Sequence, residues 1–536
     1  ITDWVSIMGR AAVDTYSELQ EQRRAVGSTA ARFGISPAGN YVGAIDVQSG
    51  YSKFMRTFIE TNFDIMANFN KKIGENISFT GILGTNIRRT NINSTYSSTN
   101  GGLVVPDLYS ISNSASPILA PIEVASKVGV NGIFASVSFG WKNTLYLDGT
   151  IRRDHSSTLP TDNAVYYYPS VALSFIFSEL VDVDWMQFGK IRINYAQVGS
   201  DAPFASLTDT YAKPSPFGST TLFSLPNTKN NSKLVPERTT SIEGGLAMNF
   251  LQNRLGFDLA VYKTNTVDQI MPVEVSKATG YSFKFVNAGE IQNQGVELII
   301  NGSPVVTKDL RWDVSLNWSR NRNEVVSLFE GTDNFQLGNF QGGVTINATV
   351  GQPYGTILGT DYVYTDEATG NTYSDPIVNQ EGSRAGYYMV SGTSDNVIGD
   401  QNADWNGGLL NKLTYKSWAF SFLFGWQKGG DIFSLDQWYG QGTGLYDNTV
   451  GNNDLGNPLR DPIADGGGII LPGVKPDGTP NDIRIEGGDY RAAGWARNPN
   501  ARYVYDASYI KLRNITLSYT MPQSVLAKSF IKGVTF

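Results

Sequence analysis

The chain has 536 residues and a net charge of −7, with 17% charged residues against about 25% in an average soluble chain. It carries no Cys and a single His, which excludes disulfides, thiolate zinc sites, iron–sulfur ligation, thiol catalysis and multi-His metal centres. An acidic chain without a Lys/Arg tract lacks the clustered cations that phosphate backbones require, so nucleic-acid binding is set aside.

No stretch approaches 18 consecutive apolar residues, so no transmembrane helix is expected. The opening Ile1-Thr2-Asp3-Trp4 has no Met, basic segment or apolar segment, and a signal peptide is read as absent or removed. From Phe63 onward the pattern has period 2, the signature of strands with one apolar and one wet face. Val137, Phe139 and Trp141 oppose Ser136, Ser138 and Gly140. After a turn at Lys142-Asn143, Leu145, Leu147, Gly149 and Ile151 oppose Tyr146, Asp148, Thr150 and Arg152. Ile242, Leu246, Met248 and Phe250 lead into the turn 251–254, and Leu255, Phe257, Leu259 and Val261 lead out. Trp312, Val314, Leu316 and Trp318 alternate with Asp313, Ser315, Asn317 and Ser319. Trp418, Phe420, Phe422, Phe424 and Trp426 continue the pattern. In the last clear strand the apolar parity slips between Leu512 and Ile515, which predicts a β-bulge near Arg513-Asn514.

The joins between these runs alternate short and long. The short ones are 71–76, 142–143, 179–185, 251–254, 303–310 and 416–417. The long ones are 88–131, 153–166, 199–238, 265–290, 320–405 and 428–507. About fourteen strands of near ten residues, with one trim end and one elaborated end, describe an all-β, transmembrane, antiparallel up-and-down β-barrel with long extracellular loops. A soluble β-sandwich alternates too, but its strands run about 5–6 residues with turns every 8–12.

Several segments resemble the SusC/RagA-type TonB-dependent outer-membrane transporters. Residues 148–157 (DGTIRRDHSS) with 167–171 (YYPSV) are similar to that family's LRRDGSS…YFPS strand pair. Residues 189–199 (GKIRINYAQVG), 287–297 (NAGEIQNQGVE), 317–325 (NWSRNRNEV), 428–433 (KGGDIF) and 505–514 (YDASYIKLRN) resemble further family motifs, in family order. The resemblance implies a 22-stranded barrel closed by an N-terminal plug. It also implies energy delivered through TonB, a SusD-like surface lipoprotein as lid, pairing of transporter–lid units into a dimer, and the outer membrane of a Gram-negative, Bacteroidota-type bacterium with its lipopolysaccharide. The cargo it implies is an oligosaccharide or oligopeptide, and no enzyme activity or cofactor. No signal peptide, TonB box or plug is recognisable, and the family's further strands after its Gly-Val-Thr-Phe are not found. Residues 1–536 are therefore expected to be a partial barrel domain of a longer chain. His155 stands where the family has Gly.

Individual motifs point less far. His155 has no nucleophile elbow beside it and reads as a loop residue. Asp400-x-Asn402-x-Asp404-x-Asn406 mimics the start of a calcium loop but lacks Gly at the sixth position and Glu at the twelfth, so an Asx-rich turn is expected. The glycines at 440–444 and 466–468 read as mobile loop backbone. Trp438, Tyr439, Tyr446 and Trp495, in the 428–507 connection, either stack on a ligand or partner or pack the loop against itself. Tyr146, Asp148, Arg152, Asp313 and Asn317 are expected to line a wet lumen. Two other functional readings stay open: a passive porin-type channel, which needs no plug, and a soluble carbohydrate-binding all-β protein, which needs no membrane.

Overall fold

The computed structural model describes residues 2–28, 33, 47–181, 183–214, 217–487, 497–527 and 530–536. Fourteen strands form one sheet in which each strand's neighbours are its neighbours in sequence. They are β1 (Val5–Arg24), β2 (Gly50–Ile73), β3 (Ile77–Ser98), β4 (Ile122–Trp141), β5 (Leu145–Ser156), β6 (Val165–Phe175), β7 (Met186–Ser200), β8 (Glu237–Phe250), β9 (Leu255–Val267), β10 (Glu290–Val306), β11 (Leu310–Ser327), β12 (Ala403–Tyr415), β13 (Trp418–Gly429) and β14 (Tyr509–Tyr519). This is the up-and-down meander that the alternation predicts. Among the described residues no helix is long and apolar enough to cross a membrane, a statement that does not bear on strands.

Short turns take the backbone that tight hairpins require. Lys142 and Asn143 have φ of 51° and 56°, and Leu251, Gln252 and Asn253 have 52°, 58° and 62°. Left-handed residues of this kind match the twist of the flanking strands. The phase slip in β14 is the expected bulge: Leu423 pairs with Asn514 and Phe424 with Leu512, leaving Arg513 without a partner in the ladder.

The first strands are longer than the alternation suggests. β1 to β4 run 20–24 residues. The ladder of β3 and β4 continues from Ile77↔Trp141 to Tyr96↔Ile122, so the connection expected at 88–131 shrinks to 99–121. The outer half of β3 is Asn-, Thr- and Ser-rich; backbone pairing continues there because it needs no apolar side chain. For the same reason β5 extends to Ser156, and His155 lies in a strand opposite Asn131 and Val165, not in a loop. β1 precedes Phe63, where the sequence reading of strands begins, although Val5, Ile7, Gly9, Ala11 and Val13 form an apolar face that alternates with Ser6, Arg10 and Asp14.

The chain divides into two compact units, one comprising Ile1–Leu180, Arg192–Ile242 and Thr266–Ala288, the other Val181–Ile191, Glu243–Asn265 and Gly289–Phe536. In the first unit the odd positions of β3 to β6 form one apolar face on which Leu83, Ile133, Val137, Phe139, Leu147, Ile151, Val171 and Leu173 are all exposed. The even positions form the polar face. The small core of this unit, Leu159, Ala164, Ala202 and Leu234, is formed by residues of the long connections themselves.

In the second unit the register places Trp312, Val314, Leu316 and Trp318 of β11 on one face with Leu409 and Leu413 of β12. Phe420, Phe422 and Phe424 of β13 and Ile515 and Leu517 of β14 share it. Asn411 is buried on this apolar face, and the Trp312 indole N–H donates to its Oδ1 at 3.2 Å. The opposite face carries Asp313, Lys412 and Ser421.

Candidate functional site: the polar face and the long connections

In the first unit the polar face is a connected ladder. Arg10 Nε on β1 donates to Asp64 Oδ2 on β2 at 2.8 Å, and Asn86 Nδ2 on β3 donates to Asp64 Oδ1 at 2.7 Å. Arg152 Nη2 on β5 donates to Asn86 Oδ1 at 3.3 Å, and its Nε donates to Asp154 Oδ2 at 2.9 Å. β4 crosses between β3 and β5 and does not block this chain because its residue there is glycine. A Cβ on Gly132 would fall inside the Arg152 guanidinium and against the Asp154 carboxylate. Charged groups paired in this way hold one another in fixed orientation.

Above the ladder lies an open cavity of about 880 Å³. Glu60, Asn62, Asn86, Arg88, Arg152, Asp154, Tyr166, Tyr168 and the stretch 196–201 line it. Glu60 accepts from Asn62 Nδ2 at 3.0 Å and from Thr90 Oγ1 at 2.9 Å, and Ser156 Oγ donates to Asp201 Oδ2 at 2.5 Å. Carboxylates, guanidinium groups, amides and two Tyr rings on one wall suit a hydrated ligand with many hydrogen-bonding groups. Among the described residues no group of His, Asp and Glu is arranged to hold a metal ion.

The expected wet-face residues divide. Tyr146, Asp148 and Arg152 share the polar face of β5, but only Arg152 reaches the cavity; the other two sit toward the short-turn end. Asp313 is held by Arg311 at 2.8 Å and Ser303 at 2.6 Å. Asn317 is exposed and lines a second, smaller hollow of about 360 Å³ with Glu297, Asn406 and Gly407. Glu60, Asn62, Asp64, Asn86, Arg88, Asp154 and Tyr166 were missed. A signal existed for Asp64 and Asn86, which lie inside the alternating runs that begin at Phe63, whereas Glu60 and Asn62 precede Phe63 and Arg88, Asp154 and Tyr166 fall in the expected connections 88–131 and 153–166.

In the second unit the long connections fold on each other. A small sheet forms from Asn334–Asn339, Thr345–Thr349, Thr356–Gly359 and Asn396–Asp400. Asn500 stitches the two connections together: its Oδ1 accepts from Thr360 N at 2.9 Å, and its Nδ2 donates to Gly342 O at 3.1 Å. Val378, Tyr387, Tyr388, Leu471 and Ile485 form their core. Burial pushes the Tyr362 hydroxyl, packed against that core, up to about 12.

The glycines at 440–444 are not mobile loop. Leu435–Gly442 is a helix, α1, and Ser434 Oγ caps it by accepting from Gln437 N at 3.2 Å. Gly440 lies directly against the Tyr446 ring. Trp438 is only 6% exposed and sits on Gly342, where a Cβ would come within 2.7 Å of its ring. Its indole is thus used in packing the loop, not in outward contact. Tyr446 is tied to Asp436, which raises its hydroxyl above the usual range. Tyr439 remains at the surface, donating to Gln341 Oε1 at 3.0 Å. Trp495 lies outside the described residues. The Asp400 turn is an Asx turn: Asp400 Oδ1 accepts from Asn402 N at 2.9 Å, while Asp404 is paired with Arg322 at 2.6 Å. At the base of the connection, Asp506 accepts from Ser508 and from Lys428 at 3.2 Å, and these donors hold its carboxyl down at about 2.

Comparison with known proteins follows the same lines. The family described as TonB dependent receptor-like, beta-barrel matches residues 10–427. TonB-dependent receptor P3 of Formosa agariphila is 26% identical over 433 residues, 78% of this chain and 41% of that protein. TonB-dependent receptor SusC of Bacteroides thetaiotaomicron is 26% identical over 416 residues, 75% of this chain and 38% of that protein. This chain thus spans about two fifths of the length of these curated relatives. A structure of the RagAB peptide transporter superposes with a TM-score of 0.73 at 18% identity, covering 100% of this chain and 55% of that one, a likeness of fold.

Proposed function

The chain belongs to the TonB dependent receptor-like, beta-barrel family, and from that premise we propose that it forms the barrel portion of an outer-membrane importer energised through TonB. Members of this family are transporters, not enzymes. The observation that carries the reading is the sorting of a fourteen-stranded meander into an apolar and a polar face, with elaborated connections at one end only. Hydrocarbon tolerates only a closed, apolar strand surface, and a polar inner wall suits a hydrated cargo. Arg152, Asp154, Glu60 and Tyr166 would then face the passage, and a plug carried by the remainder of the protein would close it. The folded connections of the second unit form a platform on which a SusD-like lipoprotein lid would sit, with Tyr439 at its surface. The cargo is an oligosaccharide or oligopeptide, the size class for which a passive pore does not suffice; pairing of two transporter–lid units belongs to the same reading.

Uptake of labelled oligosaccharides and oligopeptides should be measured in cells carrying the complete receptor, with and without TonB. Import of one of these classes that disappears when TonB is deleted supports the reading. Import that persists without TonB would replace it with a passive porin.

A further inference from the structure

The apolar face of the first unit ends on a row of cations. Along β3 the apolar positions run from Ile77 to Ile87, and Arg89 follows two residues later. On β5 they end at Ile151, followed by Arg153 and His155. On β4 they end at Ile133, and beyond it come Asn131, Gly129 and Lys127. The register brings these together: Asn131 pairs with His155, Ile133 with Arg153, and Arg153 with Tyr167, which is 57% exposed. Arg89 lies flat over Gly129, whose missing side chain makes room, and its Nη2 donates to Asn131 Oδ1 at 2.8 Å. That bond carries the guanidinium toward His155 and Arg153.

Two features set this row apart from an ordinary solvated rim. Across β3 to β6 this face carries one carboxylate, Glu123, which sits beyond Lys127 opposite Thr95. Arg153 and Lys127 have no ion-pair partner among the described residues, whereas on the opposite face Arg10 and Arg152 each meet an Asp. The height also fits. Ten residue steps from Ile77 to Ile87 make about 33 Å of strand, or about 25 Å of depth at a tilt near 40°, the thickness of the apolar band of such barrels. The other margin of the band carries Trp141 with Lys142 above its ring and Trp4 with Lys71, at the short turns. Arg89, Arg153 and His155 therefore lie at the polar boundary on the long-connection side.

We propose that Arg89, Arg153, Lys127 and His155 form a binding site for the phosphorylated sugar headgroup of an outer-leaflet glycolipid, the lipid A of lipopolysaccharide, with its acyl chains on Ile87, Ile133 and Ile151. Guanidinium groups match phosphate oxygens in forked pairs, and basic clusters at a membrane margin recognise anionic headgroups. This inference rests on the outer-membrane reading above.

The test uses the complete receptor, purified from its outer membrane in detergent. Three probes are compared: lipid A of the host, the same lipid A after enzymatic dephosphorylation, and phosphatidylglycerol. The wild type should bind intact lipid A at least tenfold more tightly than either of the others. Arg89→Gln combined with Arg153→Gln should abolish that preference, whereas Lys142→Gln at the short-turn margin should leave it. Equal affinity for intact and dephosphorylated lipid A, a preference for phosphatidylglycerol, or a preference surviving the double substitution would each overturn the proposal. If the double variant does not fold, the wild-type comparison of the probes decides. A receptor that fractionates away from the outer membrane would overturn the importer reading as well; one that resides there but ignores the phosphates overturns this inference alone.

Discussion

Replacing Phe422 with Arg tests the assignment of faces in the second unit most directly. Phe422 is paired with Asn411 and Ile515, and its ring lies 5.6 Å from that of Phe420 and 5.7 Å from that of Phe424. It stands midway between Trp418 and Trp426, four residues from each, about 13 Å along the strand. At a tilt near 40° this puts each Trp about 10 Å from Phe422 in depth, so Phe422 falls near the middle of an apolar band about 25 Å tall. Arg at the midplane of such a face costs roughly 2–4 kcal/mol, a factor of roughly 30 to 900 in the folding equilibrium. Ser421 points to the opposite face, between Lys412 and Thr516. Arg placed there keeps its hydration and meets only the like charge of Lys412, a cost of roughly 0.2–1 kcal/mol. Urea titration of the complete receptor folded into vesicles of a single lipid measures both variants. Equal costs, or a larger cost for Ser421→Arg, would refute the assignment of the aromatic face to lipid.

Four further outcomes are expected. Gly132→Val should drive Arg152 off Asn86 and Asp154 and destabilise the first unit by about 1–3 kcal/mol, the usual cost of overpacking, read as a lowered thermal midpoint; an unchanged midpoint would show that the ladder tolerates a side chain on β4. Trp438→Ala should open the 428–507 connection to protease, because truncating a buried Trp costs about 3–5 kcal/mol, whereas Tyr439→Ala should leave the cleavage pattern intact and weaken lid or cargo binding; the reverse pattern would place Trp438 at the surface. Asp506 has its carboxyl lowered to about 2 from an ordinary 3.8, so the contribution of its ionised form is complete above about pH 4 and is lost as pH falls through about 2. Pepsin cleavage near the 428–507 connection should rise over that interval, and Asp506→Asn should already be more readily cleaved at pH 4; a rise centred near pH 5 would contradict the depressed value. Single cysteines introduced at Asp447 and Glu75 should be labelled differently on intact cells, the first reached by an impermeant reagent and the second protected, and the opposite result would invert the topology.

The strand content, the up-and-down order, the side on which the long connections lie and the β14 bulge were all legible in the sequence. Each follows from period-2 alternation and the spacing of turns, which are local properties of the chain. The alternation failed where chemistry stopped sorting the faces: the outer half of β3 holds its ladder through backbone hydrogen bonds, to which Asn, Thr and Ser side chains are indifferent. For the same reason His155 reads as a loop residue in the sequence although it lies in β5.

The polar face was legible by residue type but not by partnership. Arg152 could be assigned to it from its parity alone, yet its bonds reach to β3 across Gly132 on β4, and that pairing exists only once the register of three strands is set. The fates of Trp438 and Tyr439, adjacent and both aromatic, were likewise decided by tertiary structure, because a turn of α1 directs one onto Gly342 and leaves the other beside Gln341 at the surface. Local sequence determines which face of an element a side chain occupies, through the period of 2 or 3.6 residues. What lies on that face is supplied by segments 30 to 160 residues away, as in the Asn500–Gly342 bond, and no local pattern encodes it.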